Sequence, residues 1–292
     1  MDYRDKLIVK PGHKLRLKDV DPAFTGQHET PDEAAPELGG YQQRLTQLQG
    51  LLYAEKKHAV LIVLQGLDAA GKDGTMKHVF GALNPQGASV ANFKEPTPIE
   101  RDHDFLWRIH PHAPPKGWLA IFNRSHYEDV LVTRVHKLIG KQTCEARYES
   151  IRAFELSLQE SGTTILKFFL HISKEEQLAR FGKRLDDPFR NWKISESDYS
   201  ERLLWDDYMR AAEKALAATS THAAPWYVIP ANHKWFRNLA VSQIVADTME
   251  ELGMEFPKPA VDLAEIRSKY HAAAMEERGD GKEMARRGKS IK

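Results

Sequence analysis

Cysteine is almost absent: Cys144 stands alone among 292 residues. No intrachain disulfide can form, so the fold has to rest on its apolar core, which a chain of this length can supply. Also missing are an N-terminal apolar stretch of the signal-peptide kind and any apolar run of about 18 residues or more. Secretion and membrane spanning are set aside, and a cytoplasmic protein is expected. Charge of one sign is lacking as well. With 42 Lys+Arg against 41 Asp+Glu the formal net charge is +1, which leaves no overall field to draw the chain onto nucleic acid or a membrane. A polyanion site has to be made by local clustering. No internal repeat is present, and one main domain with appendages is expected.

What is there is a succession of short apolar runs. "AVLIVLQ" from Ala59, "SVANF" from Ser89, "WLAIFN" from Trp118, "TILKFFLHI" from Thr164 and "WYVIPA" from Trp226 alternate with helix-length segments. Runs without polar alternation, separated by helices, predict a parallel sheet of about five strands covered on both faces, an α/β three-layer sandwich. Leu45, Leu48 and Leu52 recur at helical spacing over Tyr41 to Lys56. Further helices are predicted from Cys144 to Glu160 and from Trp235 to Leu252, stopped by Gly162 and Gly253. The expected organisation is an extended N-terminal arm over residues 1–40, a core over 41–256 with a lid at about 174–200, and a C-terminal helix with a disordered tail over 257–292.

The first strand runs into "GLDAAGKDGT". At the carboxyl end of a strand in such a sheet, a Gly-rich turn entering a helix offers unpaired amides to an anion. Gly66, Ala69, Ala70, Gly71, Asp73, Gly74 and Thr75 form the expected phosphate cradle, and Lys72 supplies a point charge. The residue after the lysine, normally a metal-binding Ser or Thr, is Asp73, which suits a helix N-terminus by its charge alone. Asp68, inside the loop, is the better candidate for metal.

Two more clusters are expected at the same sheet edge. Asn123 and Arg124 follow the third strand, where a guanidinium suits phosphate oxygens. Glu128 is either catalytic or half of a capping box with Ser125. Arg134, alone on the following helix, reads by itself as a surface charge. After the fourth strand, Ser173 and Glu176 form another capping box. It opens a helix with Leu178, Phe181 and Leu185 on one stripe and Arg180, Lys183 and Arg184 on another, followed by "DPFRNWK". This is either a lid that closes over phosphate or a solvated basic face. Phe93 and Trp107 either stack on a base or pack.

Taken together, "GLDAAGKDGT", "NPQG", "FNRSHYEDVLVTRVH", "RLDDPFRNWK", "WDDY" and "WYVIPANHKWFRN" resemble the polyphosphate kinase 2 family over roughly Arg44 to Gly253. The resemblance implies a P-loop NTPase-like fold with a helical lid. It also implies transfer of a terminal phosphoryl group between inorganic polyphosphate and a nucleotide, with Mg²⁺ or Mn²⁺. Asp68 and Lys72 match the phosphate loop, Arg124 and Arg134 the contacts to polyphosphate or acceptor phosphate, and Arg180, Lys183 and Arg184 the lid. Many members carry Asp where this chain has Asn123, and Asn where it has Glu128. Asn123 offers a carbonyl oxygen without charge, so the metal pair expected here is Asp68 and Asn123. The Asn/Glu combination resembles members that accept both AMP and ADP.

The expected partners are polyphosphate and adenine nucleotides, with guanine nucleotides as a second base class, and a further copy of the chain. The rival readings are an ATP-dependent nucleotide or nucleoside kinase on the same fold, and a polyphosphate-binding protein without turnover.

Overall fold

Every residue of the strand Ala59–Gln65 (β1) is buried, as a central strand with helices on both faces requires. Its neighbours are Ala88–Asn92 (β2), Leu119–Asn123 (β3), Thr163–His171 (β4) and Trp226–Pro230 (β5), all paired in parallel in the order β2-β3-β1-β4-β5. The computed structural model describes residues 1–287. The helices, in chain order, are Tyr3–Leu7 (α1), Pro31–Glu55 (α2), Lys72–Val79 (α3), Pro98–Arg101 (α4), Val132–Val135 (α5), Lys141–Glu160 (α6), Lys174–Leu185 (α7), Glu196–Leu203 (α8), Trp205–Thr219 (α9), Lys234–Glu250 (α10) and Leu263–Arg287 (α11).

Alternate residues of β1 divide the core. Val60, Ile62 and Leu64 join a cluster with Leu45 and Leu52 of α2 and with α10, whereas Leu61 and Val63 join one with α6 and α9. This is the expected three-layer α/β sandwich. The chain crosses from β1 to β2 and returns to β3 between them, so the strand order reverses beside β1. The carboxyl ends of β1 and β3 lie side by side, with Leu64 in register with Asn123. An open α/β sheet places its ligand crevice at such a reversal.

The ends of the chain differ from the sequence reading. Residues 1–40 are not an extended arm throughout. Thr30 caps α2 with Pro31 in the first turn, so the helix predicted from Tyr41 begins ten residues earlier, and "TPDE" is its start signal. Tyr3, Leu7, Val9 and Leu17 are buried. The Val9 amide donates to the Trp226 carbonyl, and Ile8 bridges Tyr227, so the N-terminal segment shields the open edge of β5. Met1–Glu255 form one compact unit and the chain from Phe256 belongs to a second. In that second unit the tail expected to be disordered from Glu276 is helical through Arg287 as part of α11; residues 288–292 of it lie outside the described residues.

Beneath the sheet edge runs a buried ionic knot. Lys167 Nζ on β4 donates to Glu155 Oε2 of α6 (2.6 Å), to the Thr219 carbonyl of α9 (2.8 Å) and to Tyr127 Oη (3.0 Å), while Tyr127 Oη donates to Glu155 Oε1 (2.8 Å). Lys167 and Glu155 have almost no exposed surface. Removing one member leaves the other charge buried and alone, at a cost of about 3–5 kcal/mol, whereas an apolar pair of similar volume is close to neutral. Urea denaturation of Glu155→Leu should show a loss of about that size, and adding Lys167→Met should restore most of it.

Candidate active site

The glycine loop leaves β1 at Gly66, whose φ of 149° and close approach to the Leu170 carbonyl leave no room for a Cβ. It ends at Gly71 (φ 110°), the N-cap of α3. The first amides of α3 have no intrahelical acceptor, and they carry the positive end of the helix dipole. Lys72, half-buried, donates from Nζ to the carbonyls of Gly66 (2.6 Å) and Leu67 (3.3 Å). Burial lowers its pKa, Arg124 adds to that, and Asp68, Glu128 and Asp73 oppose it. Thr75 is buried, and its hydroxyl donates to the Gly71 carbonyl, so it braces the turn.

Arg124 emerges beside the loop because β3 is in register with β1; its amide donates to the Leu64 carbonyl. Its φ of 61° is unusual for a side chain of this size, and this turn aims the guanidinium at Asp68, Nη2 to Oδ1, 3.0 Å. Burial alone would lower the Arg124 pKa, but Glu128 and Asp68 outweigh it and the net shift is upward. Glu128 shares the cavity with both. Burial raises its carboxyl, against the pull of Arg124 and Lys72. The capping reading of Glu128 does not hold: Ser125 Oγ accepts from the Tyr127 amide and from Gln65 Nε2, and the Glu128 carboxylate is left to the cavity. That cavity, about 410 Å³, is lined by Gly66, Leu67, Asp68, Arg124 and Glu128 on the sheet side. Its far wall comes from α8 and α9 through Glu201, Trp205 and Tyr208. Trp205 and Tyr208, the ends of the "WDDY" stretch, thus belong to the site although no spacing in the sequence marks them.

Asn123 Nδ2 donates to Asp73 Oδ1 (3.1 Å) and to Asn92 Oδ1 (2.7 Å), which fixes its amide and leaves Asn123 Oδ1 buried without a donor. Asp73 also accepts from Lys193 Nζ (3.0 Å) in the segment after α7. Burial opposes its ionisation, but Lys193 and Asn123 outweigh that and hold the carboxyl below its ordinary value. Lys193 ends the "DPFRNWK" stretch, and nothing in its spacing marks it as a site residue.

The third cluster is arranged differently from its sequence reading. The buried stripe of α7 is Gln177, Arg180 and Phe181, while Leu178 and Leu185 are exposed. Arg180 therefore faces inward, donating to the carbonyls of Ala69, Ala70, Ala231 and Asn232 and to Glu176. Gln177 donates to the Asp68 carbonyl. Ser173 caps the Glu176 amide, but the Glu176 carboxylate serves Arg180, so only half of the predicted box forms. Lys183 is exposed and Arg184 half-buried on the outer side of α7. Arg134 is not at this rim: it lines a separate groove with Lys137, Lys141, Arg210 and Lys214. Phe93 packs edge-on against Phe122 in the core, and Trp107 stacks on His103.

Comparison with known proteins agrees with this geometry. The profile of the family Polyphosphate kinase 2 (PPK2) matches residues 29–257. An AMP/ADP-polyphosphate phosphotransferase of Meiothermus ruber is 52% identical over 255 residues, covering 87% of this chain and 96% of that protein. An ADP-polyphosphate phosphotransferase of Rhodopseudomonas palustris is 49% identical over 228 residues, 74% of this chain and 79% of its own. The crystal structure of polyphosphate kinase 2 from Arthrobacter aurescens TC1 superposes with a TM-score of 0.90 at 42% identity, over 93% of this chain and 97% of that one. The glycine loop, the arginine after β3 and the inward-turned α7 are thus features of a chain that belongs to the polyphosphate kinase 2 family.

Proposed function

We infer that the protein transfers the terminal phosphoryl group of inorganic polyphosphate to AMP and ADP, reversibly. At the level of residues, one observation supports this best: Asp68, Arg124 and Glu128 line one cavity with Gly66 and Leu67, whose carbonyls hold Lys72 at the start of α3. A terminal phosphate oxygen of AMP or ADP attacks the end phosphorus of the chain. The new P–O bond forms in line with the anhydride bond that breaks, and the shortened chain leaves with the electron pair. A phosphate oxygen is largely ionised near neutral pH, so positioning and charge neutralisation carry the reaction. Lys72 is set to give up its two carbonyl contacts for phosphate oxygens. Arg124, turned over the loop, spans donor and acceptor. For AMP, Glu128 orients the acceptor.

The donor set fits a hard divalent cation, since Asp68 supplies a carboxylate and the orphaned Asn123 Oδ1 a neutral oxygen. Mg²⁺, or Mn²⁺ in its place, would be held by these two and would spread the negative charge of the phosphates when bound. Nucleotide substrates support a cytoplasmic location. Exposed Leu263, Ile266 and Tyr270 on α11 support self-association. Guanine nucleotides fit the same phosphate chemistry as a second base class.

Lys72→Met should lower kcat at least about 100-fold with polyphosphate as donor, with an unchanged thermal transition. Normal turnover in that variant would remove Lys72 from the chemistry, and equal rates with ATP in place of polyphosphate would remove the donor assignment. Because burial raises the Glu128 pKa, its carboxylate becomes protonated, and AMP phosphorylation falls, at a pH above the ordinary carboxylate range. Glu128→Gln should erase that acid limb relative to wild type in the pH profile for AMP. An identical limb in both proteins would take Glu128 out of acceptor activation.

A further inference from the structure

Gln65 closes β1 and is the one polar residue of that strand. Side chains alternate along a strand, so Gln65 shares a face with Leu61 and Val63, the face covered by α6 and α9. It is 1% exposed, and an amide so deeply buried has to be paired. Its Nε2 donates to Ser125 Oγ (3.1 Å) in the turn that follows β3. That bond uses one of the two hydrogens on Nε2.

The second hydrogen has a use in the cavity. The Glu128 amide donates to the Ser125 carbonyl, and the short helical turn His126–Asp129 brings the Glu128 side chain to the cavity wall that Gln65 also lines. Among the described residues no cation pairs directly with the Glu128 carboxylate: Arg124 is paired with Asp68, and Lys72 donates to the carbonyls of Gly66 and Leu67. Burial raises the Glu128 carboxyl; Arg124 and Lys72 oppose that through their charge, and after them a hydrogen bond from the Gln65 side chain opposes it by contact. A neutral donor here differs from a cation. It fixes the direction of the carboxylate without cancelling its charge, and it leaves the other oxygen to the cavity.

Direction matters for what Glu128 has to do. An acceptor phosphate is itself anionic, so a carboxylate meets it through a shared hydrogen or a bridging water, and such bonds depend on alignment. AMP has a single phosphate that must both anchor and attack, whereas in ADP the inner phosphate can anchor while the outer one attacks. We propose that Gln65 is a positioning residue that aims the Glu128 carboxylate into the cavity, and that this contact sets how well AMP competes with ADP as acceptor. This rests on the phosphoryl-transfer reading above and on the place it gives Glu128. The alternative is a Gln65 that only braces the turn through Ser125.

The test measures kcat/KM for AMP and for ADP, each with polyphosphate as donor, in wild type, Gln65→Met, Glu128→Gln and the double variant, with thermal transitions alongside. Gln65→Met keeps the length of the side chain and removes its donor; it should lower the AMP value about tenfold and the ADP value by about twofold at most. In the Glu128→Gln background the same change should cost AMP nothing further, because a residue that acts through Glu128 then has nothing left to position. Equal losses for the two acceptors, or a loss that adds in full to that of Glu128→Gln, overturn the proposal in favour of the brace. If Gln65→Met does not fold, Gln65→Asn, which keeps a buried amide but withdraws it from Glu128 by one carbon, decides on the same split. An AMP loss in Glu128→Gln with none in Gln65→Met overturns the positioning role alone, whereas intact AMP turnover in Glu128→Gln overturns the Glu128 reading and Gln65 with it.

Discussion

Positive charge gathered at the amino end of one eight-residue helix is the constraint on which the remainder of the structure depends. Lys72, Arg180 and Arg237 reach the start of α3, where the dipole is itself positive, and Arg124 stands over the loop that leads into it. Like charges this close repel strongly in a partly dry environment. The fold answers in three ways. Asp68 faces Arg124, backbone carbonyls absorb Arg180 and Lys72, and Arg237 stays buried with an amide oxygen alone. Uncompensated charge of this kind favours an anionic ligand, in keeping with the proposed phosphate chain. A local preference for anions thus arises here with a net charge of only +1 on the whole molecule.

That arrangement can be sustained only if the loop is rigid. The carbonyls of Asp68, Ala69 and Ala70 are each claimed from α7, by Gln177 and Arg180. Fixing these carbonyls fixes the peptide planes and therefore the direction of the neighbouring amides, which is the kind of preorganisation that electrostatic catalysis requires. Below the β3 turn, the Lys167–Glu155–Tyr127 knot holds the residues that flank Glu128 against β4 and α6. The groups proposed to meet phosphate stand on rigid supports rather than on free loops.

Much of this was legible in the sequence, for identifiable reasons. The five strands announce themselves as unbroken apolar runs, and Gly66, Gly71 and Lys72 lie where a strand passes into a helix. Arg124 follows because a strand end fixes the position of the next residue. What was not legible depends on which way a side chain turns. A stripe of Leu178, Phe181 and Leu185 is the natural apolar face of α7, yet loop carbonyls in need of donors draw Arg180 inward and leave two leucines in water. The Ser125–Glu128 spacing spells a capping box, but Ser125 Oγ also serves Gln65 across the sheet and Glu128 is released. Arg237 and Lys193 carry no local signal, because their meaning comes from contacts with Gly71 and Asp73, more than a hundred residues away. Helix α2 begins earlier than its leucine spacing predicts, because Thr30 and Pro31 start it ahead of the first periodic leucine.

The salt link between Lys193 and Asp73 joins the segment after α7 to the first turn of α3, and both partners are largely exposed, so it is worth under about 1 kcal/mol. Asp73 is also the carboxylate that accepts from Asn123 Nδ2 at the end of β3. Lys193 takes Oδ2 of that carboxylate and Asn123 takes Oδ1, so both oxygens are in use. One carboxylate thus clasps the segment after α7 to the end of β3, and the clasp is weak enough to open at little cost.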